Sequence, residues 1–88
     1  VATNVQLTKI QANKLADVSH DGIAMSVRPA HTMSDGDTMF ALATGVKSGS
    51  ADMDRICAAA TVCVARAIVS AIRNAKSLGG VPSAGECL

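Results

Sequence analysis

The sequence has no tryptophan and no tyrosine, and Phe40 is its one large aromatic ring. A core without such rings must be assembled from Ala, Val, Ile, Leu and Met, which bury less area per residue. With 88 residues the chain allows one compact unit, near the low end of self-sufficient domains. A small core without rings points to a partner surface.

An excess of either charge is also missing. Eight Lys and Arg stand against seven Asp and Glu, for a net charge of +1. Nothing here would neutralise a run of phosphates or stack on bases, which argues against nucleic acid as a partner. The longest apolar run, residues 56–65, ends at Arg66. It falls well short of the roughly 20 residues that a membrane span needs, so no membrane partner is expected. No charged-then-apolar leader is visible, so nothing marks the chain for export. Cys57, Cys63 and Cys87 form an odd set without a C-x-x-C spacing. On one helix Cys57 and Cys63 would stand about 9 Å apart at Cα, too far for a disulfide. Zinc would need further ligands, and His20 and His31 are both remote from the cysteines. The expectation is free thiols in a reducing, cytoplasmic setting, with no metal and no cofactor.

Residues 1–5 are β-favouring and short-chained. Thr8 then opens T-x-x-Q with Gln11, a capping box for a helix from about Lys9 to Met25 or Val27, stopped by the restriction Pro29 places on Arg28. Gly22 inside that helix suggests either the close approach of another backbone or a weak spot. A polar loop spans residues 28–38. The apolar run 38–44, flanked by Gly36 and Gly45, reads as a strand buried on both faces. After a Gly/Ser loop, Ser50 is placed to cap a second helix over residues 51–76, with Asp52 and Asp54 in its first turn. Ile56, Ala60, Val64, Ile68 and Ile72 share one face of it, opposite Arg66, Ser70, Arg73 and Ser77. Gly79 and Gly80 close it, and residues 81–88 form a short tail. The order strand, helix, strand, helix is α/β (α+β), and two strands cannot satisfy their own sheet edges. Residues 1–88 therefore read as a single fragment of a larger layered unit, docked to another chain.

Asp35-Gly36-Asp37 is the one carboxylate pair placed at the mouth of an apolar strand, with a glycine that lets a ligand approach the backbone. If the segment is extended, both carboxylates point to one side, and their mutual repulsion would hold one proton at raised pKa. An ordinary polar turn is the competing interpretation. His31 reads as a solvated loop residue, and His20 beside Asp21 as a surface pairing near a helix end.

Three blocks taken together resemble a known family. They are His20-Asp21-Gly22-Ile23-Ala24, Arg28-Pro29-Ala30-His31-Thr32, and the run DGDTMFALATG from Asp35 to Gly45. The resemblance is to the C-terminal (β) chain of the L-aminopeptidase/D-esterase family, which includes the 6-aminohexanoate-oligomer hydrolases and β-peptidyl aminopeptidases. It implies a precursor that cuts itself into a larger α chain and a small β chain, together forming a four-layer αββα sandwich of the N-terminal-nucleophile type. It also implies a Ser or Thr nucleophile at the start of the β chain, a peptide or amide substrate, and a higher homo-oligomer of αβ units. By motif match, Asp35 and Asp37 are the acidic pair beside that nucleophile, and hence the catalytic candidates. The departure is Val1, which carries neither hydroxyl nor thiol, so the nucleophile is expected upstream of it. An aminopeptidase is the leading expectation. Its alternatives are an endo-type oligomer hydrolase, an acyltransferase of the ornithine acetyltransferase type, and a non-catalytic assembly subunit.

Overall fold

Thr8 and Gln11 start the first helix as their spacing predicts. The Thr8 hydroxyl accepts from the Gln11 amide at 3.2 Å, and the Gln11 side chain accepts from the Thr8 amide at 2.9 Å. The computed structural model describes residues 1–87. It contains β1 (Ala2–Val5), α1 (Lys9–Ser26), β2 (Leu42–Lys47), α2 (Met53–Asn74) and a one-turn α3 (Ala84–Cys87). The fold is mixed α/β, with β1 and β2 joined in parallel through α1.

The second strand begins later than its apolar run suggests. Ala2 pairs with Leu42 and Thr3 with Ala43, and the ladder continues backward as the Val1 nitrogen donates to the Phe40 carbonyl at 2.8 Å. Residues 38–41 stay outside the regular strand. Further on the register slips, because Val5 pairs with Lys47. The extra residues sit around Gly45, whose φ of 73° suits a bulge. Nor is the strand buried on both faces. Phe40, Leu42 and Val46 are 79%, 63% and 82% exposed.

In α2 the cap is Asp52 rather than Ser50. Its carboxylate accepts from the Arg55 amide at 3.2 Å, and Asp54 and Arg73 complement the two ends of the helix dipole. By length and composition α2 is long and apolar enough to cross a membrane. An uninterrupted-run criterion misses this, because the lone Arg66 breaks the run without changing the overall composition. Beyond it, Gly79 and Gly80, both at positive φ, turn the chain so that Leu78 and Val81 pair. The expected tail folds into α3 as far as Cys87, and Leu88 lies outside the described residues. All three cysteines are free.

The core lies between α1 and α2. Leu15, Ile23 and Ala60 are its buried apolar residues, and the buried Ser19 hydroxyl donates to the Leu15 carbonyl at 2.7 Å. Gly22 is where the helices come closest. A Cβ there would stand 2.5 Å from the Thr61 carbonyl oxygen and 2.7 Å from the Val64 Cβ. The Thr61 hydroxyl reaches across to the Val18 carbonyl at 3.4 Å while also donating to Cys57 at 3.0 Å. Of the two explanations for Gly22, close backbone approach is the one the packing supports.

This core covers little of the chain. The accessible surface is 6513 Å², against about 4,800 Å² for a compact monomer of this mass. The radius of gyration is 15.5 Å, where a compact domain of this length has about 12 Å.

Replacing Gly22 by Ala should destabilise the full-length protein by about 1–3 kcal/mol, read as a lowered thermal midpoint. Adding Val64→Ala should not restore it, because the Thr61 backbone oxygen remains in the way.

Candidate functional site

Between α1 and β2 the chain turns back along the end of α1 before entering the sheet. His31 has a φ of 55°, a left-handed conformation that few residues with a side chain adopt. Its amide donates to Asp35 Oδ2 at 2.6 Å, and the Asp35 amide donates to the Thr32 carbonyl at 3.0 Å. The other Asp35 oxygen, Oδ1, accepts from the Asp37 amide at 3.1 Å. Both oxygens of Asp35 are therefore engaged by the backbone of its own loop.

These contacts set the charge of Asp35. The Asp37 backbone amide first, and then the His31 amide, hold the Asp35 carboxyl below its ordinary pKa. Repulsion within the doublet does not leave Asp35 protonated, contrary to the expectation from spacing alone. The amide donors favour the anion more than desolvation disfavours it.

Asp37 has a different setting. It is exposed and shares the wall of a cleft of about 550 Å³ with Val1, Ile23, Met39 and Val64. Asp37 is the one acidic residue in that wall, which is otherwise mostly apolar. The ladder places the start of β1 at the same spot, with Val1 bonded to Phe40, three residues beyond Asp37. The structure thus separates the doublet: Asp35 ties the loop, and Asp37 borders the cleft beside the entry to β1.

Two residues set aside in the sequence meet at this loop. His20 Nδ1 lies 2.9 Å from His31 Nε2, and His31 Nδ1 faces Asp35 Oδ2 at 3.5 Å. The imidazole rings are tilted, with centroids 4.8 Å apart. Nothing in the spacing of residues 20 and 31 announces this, because it depends on how the loop returns along α1. Among the described residues, no three His, Cys, Asp or Glu side chains are grouped to hold a metal ion.

Residues 1–84 match the profile of peptidase family S58. The chain belongs to this family. It is the family to which the three sequence blocks point, that of the L-aminopeptidases/D-esterases. An uncharacterized aminopeptidase of Mycobacterium leprae is 38% identical to this S58 chain over 96 aligned positions, covering 94% of the chain and 26% of that protein. One from Mycobacterium tuberculosis is 34% identical over the same span, covering 94% and 28%. A 6-aminohexanoate-oligomer endohydrolase of Paenarthrobacter ureafaciens is 36% identical over 44 positions, half of this chain and 12% of that enzyme. The S58 chain spans about a quarter of the length of the aminopeptidases it matches.

With its folded-state pKa lowered, Asp35 contributes stability that is present above the ordinary carboxylate range and lost as pH falls through the lowered value. The carboxyl carbon of Asp35, followed by NMR, should titrate below that of an unstructured aspartate. Protection of the His31 and Asp37 amides should disappear over the same acidic interval.

Proposed function

We propose that this chain is the small subunit of a self-processing N-terminal-nucleophile amidohydrolase that acts as an aminopeptidase on peptides or amides. The observation that carries this reading is the parallel register of β1 and β2, taken with the place of Asp37. Val1 already pairs beside Ala41, since it bonds to the Phe40 carbonyl and accepts from the Leu42 amide at 2.9 Å. Extended backward in the same phase, the strand brings a residue about four positions before Val1 alongside Asp37. A Ser or Thr there, as the first residue of the subunit, would carry hydroxyl and free amine together at the acidic edge of the cleft. The names of the mycobacterial relatives support an aminopeptidase.

The chemistry suits that arrangement. A free α-amine has a pKa of about 7.7–8.0 and can take the hydroxyl proton near neutral pH. The hydroxyl oxygen then attacks the carbonyl carbon of the scissile amide. The amine leaves with the proton, and water releases the acyl group from the oxygen. Asp37 would orient and stabilise the ammonium formed on the way, while Asp35 holds the loop that presents it. The oxyanion donors would come from the larger chain, because both oxygens of Asp35 already occupy the nearest loop amides.

The surplus surface supports a layered assembly with that larger chain, a four-layer αββα sandwich. Exposed Phe40, Leu42 and Val46 on the sheet, and Val62, Val69 and Ile72 on α2, are the residues it would cover. The match to the oligomer endohydrolase favours a second substrate reading, an internal amide of a linear oligoamide.

The test uses the full-length protein. Intact mass of the small subunit should show a Ser or Thr start upstream of Val1, and Asp37→Asn should lower turnover of an aminoacyl amide by about 100-fold. A native start at Val1, or undiminished turnover in the variant, would overturn the proposal.

A further inference from the structure

We infer that His20 and His31 form a positioning chain that fixes the acidic loop against α1, so that His20 sets the place of Asp37 without touching substrate. This rests on the reading of Asp37 as the acidic group of the hydrolytic site.

The first observation is the line of contacts from α1 to the doublet. His20 stands on a regular helix, in its second half, and is half-buried. Its Nδ1 lies 2.9 Å from His31 Nε2, a distance that requires one ring to donate and the other to accept. At the far side of the His31 ring, Nδ1 faces the Asp35 carboxylate. An ionised carboxylate only accepts, so it favours a proton on the Nδ1 of His31 that faces it. One proton is shared across the pair, between His20 Nδ1 and His31 Nε2. The line of contacts runs from helix to ring to carboxylate, and Asp35 extends it by accepting the Asp37 amide.

The second observation is independent of the first. His31 holds a φ of 55°, where glycine or asparagine would be at less cost. A residue with a large side chain in that conformation is kept there by its surroundings, and such positions cluster at functional sites. Here the surroundings are specific. The strained backbone presents the His31 amide to Asp35 Oδ2 at 2.6 Å and places the ring between His20 and the same carboxylate. Glycine would suit the turn but would leave the loop with no tie to α1 through this position.

The geometry also explains why α1 is a good anchor. Gly22, two residues beyond His20, is the close-packing point against α2, so this stretch of helix is seated directly on its neighbour. The loop borrows its position from that contact. Small displacements of a reacting group are costly in rate, and a tie of this kind is one way to prevent them.

Two measurements on the full-length protein test the inference. Hydrogen–deuterium exchange of residues 28–41 should rise about tenfold in His20→Ala, with residues 53–74 unchanged, and should return to the parent rate in His20→Asn, whose amide nitrogen replaces Nδ1. In turnover, His20→Ala should lower kcat about tenfold with KM unchanged, and His20→Asn should recover most of it. Adding Asp35→Asn to His20→Ala should cost less than Asp35→Asn alone, the signature of residues acting through one another. Unchanged loop exchange in His20→Ala, or losses that simply add, would overturn the chain. If Asp37→Asn leaves turnover intact, the hydrolytic assignment of Asp37 fails, and the exchange experiment still decides whether His20 holds the loop.

Discussion

Everything in this chain is organised from the contact between α1 and α2 at Gly22. The absence of a side chain there lets the Thr61 carbonyl and the Val64 side chain approach a helix backbone directly. Leu15, Ser19 and Ile23 are buried along the same face of α1, and Ala60 answers them from α2. With no aromatic ring among the buried core residues, the helices gain burial by coming close instead. Ala-rich α2 is suited to that, and each small residue narrows the gap that methyl groups must fill.

The acidic loop inherits its position from this packing through a short series of polar contacts. His20 leaves α1 just before Gly22, meets His31, and His31 meets Asp35. Asp35 spends both oxygens on loop amides, which leaves Asp37 to border the cleft. Two identical side chains two residues apart therefore have different jobs. Spacing alone treats them as equivalent, and only the hydrogen-bond partners tell them apart.

Much of the fold was legible because local chemistry decides it. The Thr8–Gln11 box sets the start of α1, and a strand-helix-strand order follows from the apolar segments on either side. What was not legible depends on long-range pairing. The run from Thr38 looks like strand by composition, yet regular pairing begins at Leu42, where β1 supplies partners. Its apolar residues signal burial that this chain alone does not provide, so Phe40 and Leu42 stay exposed. Asp52 displaces Ser50 as the cap because its carboxylate meets the Arg55 amide where α2 begins. The doublet itself was found from the sequence, but not the His20–His31 contact, which arises from the path of a loop and leaves no periodic trace.

The irregularity around Gly45 has a consequence for how the two strands tolerate change. Upstream of it, every partner in the ladder is offset by the same number of residues; downstream, the offset is larger. A bulge of this kind acts as a phase break. Insertions or deletions in the turn toward α2 can be absorbed there, as slack, without sliding the opposite end of the strand. The alignment between Val1 and the acidic edge is thereby insulated from variation in the rest of the sheet.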